Sequence, residues 1–135
     1  MKSATYFALV ATQLSVIAAT TLYVGSYSSK IVRISLNAAG EMKYIGDTTS
    51  EVNPSWLALN PSGDLLFAVS EVGDYPNLEY PYSGGISSYT VRGDNSLHLL
   101  NTVASGGAAP AHAIMDTSGH CLYISNYCSG TVRWL

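Results

Sequence analysis

Residues 53–71 read NPSWLALNPSGDLLFAVSE, and residues 109–127 read APAHAIMDTSGHCLYISNY. When the two stretches are aligned at an offset of 56 residues, Pro54 meets Pro110 and a Ser-Gly pair falls at the same place in both. Each stretch holds two short apolar runs separated by a polar turn with a glycine, which is typical of two antiparallel strands. The chain therefore contains an internal repeat that is built from strands.

A second pair of stretches extends this repeat over most of the chain. Residues 22–33, LYVGSYSSKIVR, match residues 122–133, LYISNYCSGTVR, at six of twelve positions with an offset of 100 residues. The segment 74–82, DYPNLEYPY, is interpreted as an insertion that lengthens the middle copy. Without it the unit has about 45 residues and four strands, which is typical of one blade of a β-propeller.

The rest of the sequence follows the same alternation of short runs and turns. The runs are rich in β-branched and aromatic residues, which favour strands, and no window beyond the N-terminus has a helical period. Ten strands are predicted: Leu22–Tyr27, Ile31–Leu36, Met42–Thr48, Trp56–Asn60, Leu65–Glu71, Gly85–Val91, Leu97–Val103, Ala111–Asp116, Cys121–Tyr127 and Gly130–Leu135. The fold class is all-β, a propeller fragment of about two and a half blades.

The strands divide into three predicted blades. Residues 22–48 supply three strands of a first blade that lacks its innermost strand, and residues 55–104 form a complete blade. Residues 111–135 supply the first three strands of a third blade. A propeller needs at least four blades to close. The chain is therefore expected to be a fragment of a larger propeller.

The N-terminus and the charge balance indicate the location of the protein and the partners that it does not bind. Lys2 is followed by sixteen uncharged residues and by small residues around Ala18 and Ala19, which predicts a secretory signal peptide over residues 1–19 and an extracellular protein. The alternative is a cytoplasmic protein with a buried terminal strand or helix. The stretch is too short and too polar to span a bilayer, so no membrane contact is expected after removal of the leader. Nine acidic against six basic residues form no basic patch, which argues against nucleic-acid binding.

The two cysteines carry no cross-link in this interpretation. Cys121 and Cys128 lie seven residues apart on one predicted strand and its turn. At about 3.3 Å per extended residue they are roughly 20 Å apart, far beyond disulfide reach. Both are predicted to be buried or half-buried thiols, and no metal-ligand spacing accompanies them. No metal or other cofactor is predicted.

The aligned stretches resemble the seven-bladed lactonase propellers. This family includes 6-phosphogluconolactonases of the bacterial type and the carboxy-cis,cis-muconate lactonizing enzymes. The most specific element is the run Pro-x-His-x-x-x-Asp-x-Ser-Gly over residues 110–119, followed by an Asn-Tyr pair at 126–127. The resemblance implies an N-terminal fragment of a seven-bladed propeller whose partner is a small-molecule lactone and whose chemistry needs no metal.

The implied reaction is hydrolysis of a sugar-type lactone such as 6-phosphogluconolactone, or lactonization of a muconate. In the family, the proposed catalytic groups come largely from later blades, so this truncated chain is itself expected to be inactive. The alternative is a non-catalytic propeller that binds a ligand or a protein. A metal-dependent gluconolactonase is disfavoured, because the sequence shows no convergent set of carboxylates. The oligomeric state is not indicated.

His112 is the catalytic candidate. It begins a predicted innermost strand, so its side chain can reach the channel mouth, where propellers bind ligands. An imidazole at the mouth acts as a general base toward water or donates to a lactone carbonyl. The structural alternative is a packed histidine bound to the backbone of a neighbouring blade.

The substrate-binding candidates are predicted to lie at the same end of the blades as His112. They are Glu71, Asn126, Tyr127 and Trp56. Tyr27 lies at the same level in the first blade and completes a predicted polar rim. The structural alternatives are an exposed strand-end charge for Glu71, a turn cap for Asn126 and blade packing for Trp56.

Four further residues receive structural assignments. Asn60 and Asp116 precede Ser-Gly pairs and are predicted to serve those turns. Arg33 and Arg133 match each other by repeat and are placed on third strands, away from the channel.

Overall fold

A computed structural model of the chain describes residues 19–76, 78 and 80–135. Within them the chain forms ten strands: β1 (Thr20–Val24), β2 (Lys30–Leu36), β3 (Met42–Thr49), β4 (Leu57–Leu59), β5 (Leu65–Ser70), β6 (Gly85–Val91), β7 (Leu97–Ala104), β8 (Pro110–Met115), β9 (Leu122–Asn126) and β10 (Thr131–Trp134). Each of the ten predicted strands is confirmed, with ends that shift by a few residues. The predicted leader, apart from Ala19, lies outside the described residues.

The strands form three antiparallel sheets in the predicted order. The middle sheet has four strands, β4-β5-β6-β7, while the first has β1-β2-β3 and the third has β8-β9-β10. Because the repeat aligns β1 and β9 with β5, the first sheet lacks the strand that β4 supplies in the middle sheet. We call the three sheets blades 1, 2 and 3. Their division confirms the all-β propeller fragment, with β4 and β8 as the innermost strands.

Blade 2 is apolar on both faces, because it packs between two neighbours. One face contributes Leu66, Ala68 and Tyr89 to a cluster that includes Ile31 of blade 1. The opposite face contributes Val69 and Ile86 to a second cluster; its members from blade 3 are Ala113, Leu122 and Ile124. Successive residues of β5 therefore alternate between the two cores, as strand geometry requires.

The polar turns at one end of the blades share a single construction. Asn60 accepts a hydrogen bond on Oδ1 from the Leu65 amide at 3.0 Å, and Asp116 accepts one from the His120 amide at 2.8 Å. The backbone carbonyl of Asp116 also accepts from Gly119, 3.1 Å away, whose φ of +74° is readily adopted by glycine. The turn roles predicted for Asn60 and Asp116 are confirmed.

The alternating chain direction defines two ends of the molecule. The end with these turns, which we call the lower end, carries loops 37–41, 60–64, 92–96 and 116–121. The opposite end, which we call the upper end, is where β4 and β8 begin, and it carries loops 25–29, 50–56, 71–84, 105–109 and 127–130. All five sequence-predicted site residues lie in or beside the upper-end loops.

Both cysteines are free thiols, as predicted. Cys121 is half-buried, but Cys128 is exposed. The prediction that both are at least half-buried is wrong for Cys128, because β9 ends at Asn126 and leaves Cys128 in a surface turn. In the described part of the chain, no helix has the length and hydropathy needed to cross a membrane.

Candidate functional site

A repeated backbone contact holds the upper ends of the blades together. Asn53 and Ala109, which the repeat aligns, both adopt left-handed conformations with φ of 49° and 52°. The amide of Asn53 donates to the Ser28 carbonyl of blade 1 at 2.8 Å, and the amide of Ala109 donates to the Val72 carbonyl of blade 2 at 2.9 Å. We call this contact the blade latch. It joins each innermost strand to the blade before it.

The same latch residues fix the position of the rim. The carbonyl of Asn53 accepts from the Glu71 amide at 3.1 Å, and the carbonyl of Ala109 accepts from the Tyr127 amide at 2.8 Å. Glu71 and Tyr127 therefore start from equivalent backbone positions in blades 2 and 3, and the repeat gives Tyr27 the same place in blade 1. The three residues therefore occupy equivalent positions of the repeat at the upper end.

Trp56 and His112 meet across the junction between blades 2 and 3. Their ring centroids are 4.3 Å apart with an interplanar angle of 40°. The Trp56 indole Nε1–H donates to the Ala113 carbonyl at 2.8 Å. Because β8 is an edge strand of its sheet, this bond satisfies a carbonyl on the inner edge of blade 3. The indole thus covers the channel side of β8 while 41% of Trp56 remains exposed.

His112 owes its placement to an irregularity in β8. Pairing with β9 shifts register between Pro110 and His112, and His112 lies opposite Ser125. Bulges of this kind re-aim side chains. The result is a half-buried imidazole at the start of the innermost strand, with one side against the Trp56 indole. The structure thus brings together two of the predicted site residues, one catalytic and one substrate-binding.

Glu71 and Tyr27 form a second pair across the junction between blades 1 and 2. The interaction with the Glu71 carboxylate raises the pKa of Tyr27 above its usual value. Tyr27 is 71% exposed and Glu71 is half-buried. The pair supplies a carboxylate and a phenol beside the mouth, each able to bind a sugar hydroxyl.

Asn126 and Tyr127 are adjacent in sequence but lie in different environments. Asn126 is only 2% exposed, and its Nδ2 donates to the Ser105 carbonyl at 3.3 Å and to Thr131 Oγ1 at 3.2 Å. Its side chain belongs to the junction between blades 2 and 3, in contrast to the exposed rim position expected from the sequence. Tyr127 is 79% exposed in the upper-end loop that follows β9.

The insertion adds a group that the repeat could not reveal. Burial raises the pKa of Tyr75 above its usual value, and the nearby Glu51 carboxylate raises it further. The Tyr75 amide donates to the Ser83 carbonyl at 2.7 Å, and the ring lies against Gly85, where a Cβ would be 2.9 Å from the ring. Tyr75 thus anchors the insertion beside the rim. Because blades 1 and 3 have no counterpart of this segment, alignment of the repeats carries no signal for it.

The two pairs lie at the upper end, one at the junction of blades 1 and 2 and the other at the junction of blades 2 and 3. Grooves of about 320, 300 and 240 Å³ lie between neighbouring blades, and none of the five candidate residues lines them. Across residues 19–76, 78 and 80–135, no three His, Cys, Asp or Glu side chains converge in a way that could hold a metal ion. The chemistry available at the upper end of the described blades is that of an imidazole, phenols, an indole and a carboxylate.

Comparison with known proteins matches nearly the whole described chain. The model of the family described as lactonase, 7-bladed beta-propeller, matches residues 21–135. A curated relative from Formosa agariphila, named 6-phosphogluconolactonase, is 29% identical over 113 residues, which are 78% of this chain and 30% of the relative.

Solved structures give the same result. The periplasmic gluconolactonase of Pseudomonas aeruginosa superposes with a TM-score of 0.68 at 26% identity, over 87% of this chain and 34% of that one. A Bacteroides fragilis protein superposes with a TM-score of 0.74 at 25% identity, over 89% of this chain and 33% of its own. The chain thus spans about a third of the length of the relatives that it matches.

Proposed function

The chain belongs to the lactonase family of seven-bladed β-propellers, and on that basis we propose that the protein it forms part of hydrolyses a sugar-type lactone at the upper mouth. The observation that carries the proposal is the contact between Trp56 and His112, which holds an imidazole at the start of an innermost strand. The names of the Formosa agariphila and Pseudomonas aeruginosa relatives support a lactone as the small-molecule partner.

In the proposed reaction His112 acts as the general base. Its neutral imidazole accepts a proton from a water molecule as the water oxygen bonds to the lactone carbonyl carbon. The tetrahedral intermediate collapses by breaking the bond between that carbon and the ring oxygen, and the imidazolium returns the proton to the departing alkoxide. The products are the open hydroxy acid and a regenerated base. The Tyr27–Glu71 pair and Tyr127 bind sugar hydroxyls, and Trp56 supplies an apolar ring beside the substrate.

The test is lactone hydrolysis by the full-length protein that contains this chain. We expect His112→Ala and His112→Gln to lower kcat by about 100-fold or more, the range of a lost general base, with a smaller change in KM. The matched control is His98→Gln in β7, on the outermost strand of blade 2. If His112→Gln retains the wild-type rate but unfolds at a lower denaturant concentration, His112 is a packing residue and the proposed role is wrong.

The internal repeat gives a specific reason to consider that His112 is a packing residue. Trp56 occupies the position equivalent to His112 and binds the backbone of the following blade. A non-catalytic propeller would hydrolyse no lactone while still binding a ligand at the mouth. Muconate lactonization, the other reaction of the family, would close a lactone ring under the same conditions. Analysis of the products formed from a sugar lactone and from a muconate therefore distinguishes lactone hydrolysis, muconate lactonization and ligand binding without catalysis.

We also propose that the protein is secreted. The support is the leader sequence, with Lys2, its uncharged run and the small residues before Thr20. Mass spectrometry of the protein from its native host tests this. A mature N-terminus at or near residue 20 in the extracellular or periplasmic fraction is expected, and retention of residues 1–19 in a cytoplasmic protein would contradict it.

A further inference from the structure

Two loops meet at the upper end of the junction between blades 2 and 3. Loop 71–84 carries the insertion of blade 2, and loop 105–109 leads from blade 2 into β8, the strand that holds the candidate general base. Gly84, at the end of the first loop, donates from its amide to the Gly107 carbonyl at 2.9 Å. Its own carbonyl accepts from the Ser105 amide, also at 2.9 Å. Two backbone bonds therefore pair the end of one loop with the start of the other.

The Ser83 side chain adds a further bond to this contact. Its Oγ accepts from the Gly106 amide at 3.0 Å and lies 3.4 Å from Ser105 Oγ. Ser83 and Ser105 are 1% and 0% exposed, so both hydroxyls are shielded from solvent. Gly106 has a φ of +77°, a conformation that glycine adopts readily. Because buried polar groups need partners, the Ser83 hydroxyl fixes the conformation of loop 105–109 at Gly106.

The insertion holds Ser83 at this junction. The Tyr75 amide donates to the Ser83 carbonyl at 2.7 Å, which brings the start of the insertion back to its end. At the other end of loop 71–84, the Val72 carbonyl accepts the latch bond from Ala109 at 2.9 Å. Both ends of this loop therefore bind the segment that leads into β8.

The path from these bonds to His112 is short. The Pro110 ring packs against Gly84, where an added Cβ would overlap Pro110 Cδ and would lie 2.7 Å from the Ser70 carbonyl oxygen. Pro110 is buried, and it pairs with Asn126 of β9 immediately before the register shift that re-aims His112. Gly84 therefore sets the position of Pro110 on one side, and β9 sets it on the other.

From these contacts we propose that loop 71–84 holds His112 in its productive position, with Ser83 and Gly84 as the positioning residues. The proposal deepens the proposed hydrolysis, because it rests on His112 as the general base. Both residues act through the loop that leads into β8 and not through contact with the lactone. A general base must lie within hydrogen-bond reach of the proton that it removes, so a small displacement of the imidazole lowers the rate.

The experiment measures lactone hydrolysis and the His112 imidazole NMR signals of the full-length protein. Ser83→Ala removes the acceptor for the Gly106 amide. We expect it to lower kcat about tenfold with little change in KM, because a displaced imidazole transfers the proton less effectively. The His112 signals and the pH at which they titrate should shift with it. Gly84→Ala should lower kcat by more, up to about 100-fold, because the added methyl group displaces Pro110 directly.

Ser87→Ala is the matched control. Ser87 is also 1% exposed and also bonds a hydroxyl, that of Thr102 at 2.9 Å. Its side chain lies on the face of β6 that Tyr89 presents to blade 1, because alternate residues of a strand share a face. The substitution should leave kcat and the His112 signals unchanged. Ser83→Ala decides the question if Gly84→Ala fails to fold.

A double substitution separates positioning from general destabilisation. In the His112→Gln background, Ser83→Ala should lower the residual rate by less than about twofold, because its effect passes through the imidazole. An equal loss in both backgrounds would overturn the inference, as would equal effects of Ser83→Ala and Ser87→Ala. Unchanged His112 signals in Ser83→Ala would also overturn it and leave the proposed hydrolysis intact. If His112→Gln retains the full rate, the general-base role fails and the inference fails with it.

Discussion

Equivalent turns of blades 2 and 3 keep the same hydrogen-bonded shape although an amide opens one and a carboxylate opens the other. Asp116 and Asn60 open the same lower-end turn, and both accept a backbone amide on Oδ1. Asn60 also donates from Nδ2 to Asp64 at 2.7 Å, whereas in blade 3 the residue in the place of Asp64 is His120. Each turn therefore holds one carboxylate, at its first position in blade 3 and at its last in blade 2. Converting Asn60 to Asp would place two carboxylates together.

The carboxylate of Asp116 gives a pH-dependent stability. Hydrogen bonds from Ser118 and then from the Cys121 amide lower its pKa to about 2 from the usual 3.8. A depressed pKa means that the stabilisation is present above pH 3.8 and is lost as pH falls through about 2. We expect Asp116→Asn to lower Tm at neutral pH, and the difference from wild type to shrink between about pH 4 and pH 2. Thermal unfolding monitored across that range checks it, and a constant difference would contradict it.

Trp56 makes two contacts that substitutions can separate. Trp56→Phe keeps an aromatic ring against His112 but leaves the Ala113 carbonyl without its indole donor. The expected loss is about 0.5–1.5 kcal/mol in the free energy of unfolding. Trp56→Ala loses both contacts and should cost more, and it should also move the His112 imidazole resonances in NMR spectra. Unchanged resonances in Trp56→Ala would show that the stacking seen here does not persist in solution.

The sequence predicted turn residues better than buried ones. Asn60 and Asp116 are recognisable because the whole turn lies within a few residues of each. Asn126 is different: its carbonyl partner, Ser105, lies in the loop between blades 2 and 3. Local composition carries no information about a contact across a blade junction, so its burial could not be predicted from the Asn-Tyr motif.

At the scale of the element, all ten strands were predictable from the sequence, but the pairing register between β9 and β10 was not. The loop after β1 has five residues and the loop after β9 has four. Tyr23 accordingly faces Arg33, whereas Tyr123 faces Trp134. Gly130, with φ of +62°, permits the tighter turn. The ungapped alignment at an offset of 100 conceals this shift.

The shifted register gives the two matched arginines different surroundings. Arg33 donates from Nη1 to the Asp94 carbonyl at 3.4 Å in a lower-end loop of blade 2. Arg133 packs against Tyr80 near the upper end. Both lie on third strands, as predicted. Identical residues at matching positions of the repeat thus lie on equivalent strands, but they need not make the same contacts.

One glycine decides how closely blades 1 and 2 approach. A Cβ built on Gly25 would lie 1.9 Å from the Pro54 carbonyl oxygen, a backbone atom that cannot rotate away. We expect Gly25→Ala to cost about 1–3 kcal/mol in the free energy of unfolding, since blade 1 must move off blade 2. Gly93→Ala is the control, because a methyl group added at Gly93 would have no neighbouring atom within 4 Å. Equal denaturation midpoints for the two variants would contradict the close approach.

At the scale of the whole molecule, blade 3 presents an apolar outer face. Register places Ile114 opposite Tyr123 and Tyr123 opposite Trp134 on this face, which also includes Val132. Ile114, Val132 and Trp134 are 57%, 74% and 70% exposed. In a complete propeller such a face packs against the next blade. The number of blades in the whole ring is not encoded in any one of them, which is why it came from the family resemblance.

This exposed face should make residues 20–135 self-associate when produced alone. Contiguous apolar patches beside unpaired strand edges promote association between copies. We expect oligomers in size-exclusion chromatography with light scattering, and a shift toward monomer in the double variant Val132→Lys with Trp134→Ser. Tyr82→Ser removes an equally exposed aromatic from the upper-end insertion and should not change the profile. A monomeric wild-type chain would contradict the prediction.

The blade latch has a consequence for how the protein is made. Each latch joins a blade only to the one before it, through Ser28 to Asn53 and through Val72 to Ala109. A ribosome adds roughly 5–20 residues per second, so the 56 residues between successive latches emerge in roughly 3–11 s. Each new blade can then dock on one that has already left the exit tunnel. Translation from the N-terminus thereby sets the order in which the blades assemble. During a pause in translation between two blades, the blades already made would keep their docked arrangement.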